Sequence, residues 1–67
     1  MLNIETASAY VRNQHAGYGE TVQIQSAREG SEDGIPTVEI TALLPDGRTA
    51  NWTVWFEPMF GRLYGEW

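Results

Sequence analysis

Few side chains in this sequence are of a type that does chemistry. His15 is the single histidine, and no cysteine occurs. A cysteine nucleophile is therefore excluded, and a serine nucleophile would need that one imidazole as its base. Thiolate and multi-histidine zinc sites are excluded within one chain for the same reason. His15 falls near the end of the only predicted helix with no assigned partner. It reads as a helix-end residue that satisfies carbonyl groups, not as a general base.

The carboxylates offer two further possibilities. Glu39, Glu57 and Glu66 fall on the polar face of predicted strands, where two of them could approach as glycoside hydrolysis requires. A chain this short has little volume for a water-excluding pocket, and cross-strand pairing with Arg62 is the simpler account. Glu29, Glu32 and Asp33 could gather a hard cation through oxygen ligands, but their spacing matches no EF-hand loop. A solvated hairpin loop is the expected form. Gly17-Tyr18-Gly19 follows the helix instead of opening it, so it presents no helix N-terminus to a phosphate. These readings predict no enzyme, no cofactor and no metal.

Composition narrows the partners. With 67 residues the chain is one small domain, residues 1–67, which must fold on a thin stability margin. Nine acidic residues stand against four arginines and no lysine, a net charge of -5. Binding to a phosphate backbone needs clustered positive charge, so nucleic acid is not an expected partner. No apolar run approaches the length of about 20 residues that crosses a bilayer. The start, Met1 to Val11, lacks both a basic region and a continuous apolar core, so a cytoplasmic location is expected. Asn51-Trp52-Thr53 matches the N-glycosylation pattern, and without a secretory signal it reads as chance.

The elements that must position these residues follow from periodicity. Ile4, Ala7, Ser8, Val11 and His15 recur at helical spacing, which predicts a helix over 3–16 capped by Asn3. Gly17 is the expected left-handed residue past its end. Thr21 to Arg28 alternates, with Val22, Ile24 and Ser26 on the inner side. A polar loop over 29–34 follows, and Pro36 restarts an extended chain. Thr37–Leu44, Thr49–Glu57 and Arg62–Trp67 complete four strands, joined by turns at Pro45-Asp46-Gly47 and Pro58–Gly61. Such short connections require antiparallel neighbours. The expected fold is therefore α+β in two layers, one N-terminal helix on a four-stranded antiparallel meander. In topology alone this order resembles small cystatin-like and NTF2-like layouts.

The aromatic residues give the strongest hint of function. Ala50 to Trp67 holds all three tryptophans, both phenylalanines and Tyr64. Trp52, Val54 and Phe56 are expected to face the helix. The opposite face, which a two-layer fold leaves in water, then carries Trp55, Tyr64 and Leu43 beside Arg62 and Glu57. Aromatic residues with an arginine are the composition of an interface centre. The sequence thus points to a non-enzymatic protein-interaction module. It would use this face or an edge strand to bind another copy of itself, as a homodimer, or a different protein. Two rivals remain in view. One is a small acidic inhibitor or nucleic-acid mimic that occupies a basic partner. The other is a small-ligand binder using a helix–sheet cavity lined by Ser8, Tyr10, His15 and Ser26.

Overall fold

The computed structural model describes residues 1–67. Its elements run α1 (Ile4–Ala16), β1 (Gln23–Glu32), β2 (Ile35–Leu43), β3 (Thr49–Glu57) and β4 (Arg62–Glu66). The strands form one sheet in the order β1-β2-β3-β4, every neighbour antiparallel. The helix lies across one face only, so the fold is the expected two-layer α+β meander.

Local chemistry sets the helix ends. Asn3 Oδ1 accepts from the Thr6 N–H at 2.8 Å, and Thr6 Oγ1 accepts from the Asn3 N–H at 3.0 Å, a reciprocal capping box. At the other end Gly17 remains right-handed, with φ -62, and Gly19 takes the left-handed conformation, with φ 76. The Gly19 N–H donates to the Ala16 carbonyl and the Glu20 N–H to the His15 carbonyl. That pair of bonds is a Schellman motif: the helix ends at Ala16 as expected, and the left-handed residue is Gly19, two positions beyond Gly17.

The first hairpin is tighter than the sequence reading. Residues 29–34 are not a loop: β1 runs to Glu32, and Asp33-Gly34 alone makes the turn, both at positive φ. Asp-Gly with two left-handed residues is the turn whose twist matches paired strands. Pro36 sits inside β2, opposite Ser31, at a level where β3 no longer pairs. Its missing N–H therefore costs no ladder bond. The Pro45–Gly47 turn forms as expected, with Gly47 at φ 91. There the Arg48 backbone N–H, aided by its guanidinium, holds the Asp46 carboxyl below its usual range.

A bulge corrects the face of β1. Register shifts between Ile24 and Ser26, so Ile24 lies opposite Ala42 and Ala27 opposite Ile40. Ala27 therefore packs on the core, while Ser26 pairs with Thr41 on the other face. A strict alternation cannot reveal an extra residue.

The core joins Ala7 and Val11 of the helix to Val38, Ile40, Ala42, Ala50, Trp52 and Val54 of the sheet. Small residues on both sides bring the layers close. Closest of all is Gly65, whose backbone N–H donates to the Tyr10 hydroxyl at 3.0 Å. A Cβ there would stand 2.8 Å from the Tyr10 ring and 3.1 Å from the Trp52 ring. Gly65→Ala is accordingly expected to cost about 1–3 kcal/mol of overpacking. Urea denaturation measures it, and an unchanged midpoint would show that the Tyr10 ring yields freely.

Candidate functional site

Two groupings of polar and aromatic side chains stand out, one on each face of the sheet. On the covered face, His15 is 1% exposed and bonded at both nitrogens. The Trp52 indole N–H, which can only donate, points at His15 Nε2 at 3.0 Å. Nε2 must therefore accept, which puts the proton on Nδ1, where it is donated to Glu20 Oε1 at 2.9 Å. The Schellman turn is what returns Glu20 to this position. Around this neutral imidazole, Tyr10 meets Trp52 edge-on, and Trp67 stacks on Trp52 with centroids 5.9 Å apart.

A carboxylate on Nδ1 is the orienting half of a catalytic triad. Here, however, the Nε2 lone pair faces an indole N–H inside the core and no nucleophile. The helix-end reading of His15 is thus replaced by a buried cross-layer clamp. Sequence reasoning missed it because Trp52 is 37 residues away in the chain.

The other proposed core-facing polar residues divide. Ser8 is buried, Tyr10 is half-buried and bonded to Gly65, and Ser26 is exposed on the far face. The space between the layers is filled by the core, with Trp52 at 5% exposure. Trp67 at 62% and Phe56 at 37% lie on its rim. No group of three or more acidic or histidine side chains is placed to hold a metal ion, Glu29, Glu32 and Asp33 included.

On the uncovered face the registers set side chains in rows across the strands. Gly30, Thr37, Trp55 and Tyr64 lie opposite one another in succession, giving an aromatic row. Toward the hairpin tips lie Glu32 beside Ile35 and Glu57 beside Arg62. On the other side runs the row Arg28, Glu39, Thr53 and Glu66. Trp55 and Tyr64 have ring centroids 6.5 Å apart, and Phe60 from the last turn approaches Tyr64 at 5.5 Å. The Arg62 guanidinium lies 5.0 Å from the Tyr64 ring centre and donates to its hydroxyl at 3.0 Å. A groove of about 290 Å³ opens beside Trp55, floored by Thr37 and Thr53 and walled by Ile35, Glu32 and Glu66.

Three of the sequence-derived contact residues, Trp55, Tyr64 and Arg62, thus meet as expected. Glu57 stands at the border, opposite Arg62 in register, but the Arg62 side chain turns to Tyr64 instead of pairing with it. Leu43 does not belong to the patch. It lies opposite Thr49, six residues along β2 from Thr37, or about 20 Å from the aromatic row. Assigning a face needs only alternation, whereas placing a residue along it needs register. Phe60, hidden in a turn signal, was missed.

No two of Glu39, Glu57 and Glu66 lie directly opposite one another in the sheet. Glu39 accepts from the Thr37 and Thr53 hydroxyls at 3.0 and 2.9 Å. Thr53 separates it from Glu66 in the row. Comparison with known proteins finds no matching family model, no similar curated protein and no similar solved structure.

The clamp gives a graded test by denaturation. His15→Ala is expected to cost about 2–4 kcal/mol, from the cavity and the orphaned indole N–H. Glu20→Gln keeps an acceptor for Nδ1 and is expected to cost less than about 1 kcal/mol. Equal costs would contradict the assigned roles.

Proposed function

We propose that this protein is a non-enzymatic interaction module that docks another folded protein surface on the uncovered sheet face. One observation carries this reading: that face holds a contiguous aromatic strip, Trp55, Tyr64 and Phe60, with Arg62 laid on Tyr64. A face with no second layer to cover it is ordinarily polar. Here it has the makeup of an interface centre with a charged border.

Sheet edges support the face over the strand edge as the docking surface. The β4 edge has the Gly65 N–H engaged by Tyr10, and β1 carries a bulge and charged side chains. Both devices discourage strand addition. The rival reading as an acidic mimic is less well supported, because Arg28 and Arg62 interrupt the carboxylates of this face.

Aromatic cross-strand pairs stabilise a sheet by only about 0.2–1 kcal/mol each. Trp55→Ala in dilute solution is therefore expected to shift the unfolding free energy by less than about 1 kcal/mol. A loss of about 3 kcal/mol or more, typical of a core aromatic, would overturn the reading. The strip would then be part of the folding core.

A further inference from the structure

From the row pattern we infer that the surface docked on this face is a second copy of the chain, packed sheet to sheet about a two-fold axis parallel to the strands. The inference rests on the interaction-module reading and names its partner. A two-fold lying in the interface between β2 and β3 keeps each row at its own height. It sets β1 against the partner's β4, and β2 against the partner's β3.

Read with the observed registers, that operation matches small with large residues in the aromatic row and opposite charges on β1 and β4, while Ile35 meets Glu57 of the partner subunit at the rim. In the aromatic row, Gly30 faces Tyr64 of the partner subunit, and Thr37, only 4% exposed at the foot of the groove, lies at the level of Trp55 of the partner subunit. A small residue meets a large one at every position, and the groove floored by Thr37 has about 290 Å³ in which to take an indole. In the tip row, Glu32 faces Arg62 of the partner subunit. In the third row, Arg28 faces Glu66 of the partner subunit. No carboxylate meets a carboxylate.

A two-fold perpendicular to the strands matches charges too, but it sets Trp55 and Tyr64 on their own copies and leaves Gly30 and Thr37 facing a gap. Close packing selects the parallel axis. The product is a four-layer dimer, helix, sheet, sheet, helix, with strands nearly aligned as in sandwiches. The net charge of -5 on each copy opposes encounter at long range, and salt screens that repulsion beyond about 8 Å.

A charge swap tests both the partner and the axis. Arg28 and Glu66 lie at opposite ends of one row, about 14 Å apart across three strand spacings, too far to pair within a copy. Sedimentation from micromolar to millimolar protein should show the wild type passing to twice the 7.5 kDa chain mass. Arg28→Glu and Glu66→Arg should each weaken association by about tenfold or more, and the double variant should restore it. The perpendicular axis predicts the reverse, since the double variant would then set like charges together. Circular dichroism and urea midpoints confirm that each variant is folded. Three outcomes overturn the inference: a monomer throughout, a dimer indifferent to both single changes, or no rescue in the double variant. A monomer whose Trp55→Ala variant remains stable would leave the interaction reading standing, with a foreign partner.

Discussion

The indole of Trp52 is where the two layers are fastened. Its N–H has one acceptor, His15 Nε2, and that bond forces the imidazole into the tautomer that donates to Glu20. The same ring is the wall that Tyr10 meets edge-on and Trp67 stacks upon. A buried polar network of this kind is stabilising only when every member is satisfied, and no buried side-chain polar atom here lacks a partner. The helix end, the Glu20 carboxylate returned by the Schellman turn, and Trp67 just past β4 all meet at this contact. In a chain of 67 residues without disulfides, such directional contacts supplement a core of limited size.

Close approach of the layers follows from small side chains. Ala7 and Val11 meet Ala42, Ala50 and Val54, and Gly65 lets the Tyr10 ring lie on β4. The Tyr10 hydroxyl then takes up the Gly65 N–H, so one contact both seats the helix and protects an edge. Because a single helix covers a single face, the sheet retains a second face whose composition is free of core demands. That freedom makes the aromatic row of Trp55 and Tyr64 informative. Nothing in the packing of the covered layer requires large rings there.

Much of the architecture was legible in the chain. Alternation around Thr37–Leu44 and Thr49–Glu57, turn chemistry at Pro45–Gly47 and Pro58–Gly61, and the Asn3 cap all act within a few residues. The misreadings share a cause. Gln25 inserts a bulge that alternation cannot announce, so alternation alone points Ser26 inward and Ala27 outward. Asp33-Gly34 closes a hairpin that a run of polar residues disguised as a loop. Leu43 lies on the expected face but at a different height from the aromatic row.

By itself the sequence determined which residues favour helix, strand or turn, and which face of β2 and of β3 meets the helix. It also excluded disulfides and thiolate metal sites by lacking cysteine. These are local or compositional properties, set by backbone dihedrals, side-chain periodicity and inventory. Only the tertiary structure decided that His15 lies between Trp52 and Glu20, that Gly65 must have no side chain, and that small, aromatic and charged residues form ordered rows. Those facts depend on contacts between residues up to 55 positions apart, through register and layer spacing. Neither quantity is encoded at any one position. Both emerge when the chain finds the packing that buries its core residues and leaves no buried side-chain polar atom without a partner.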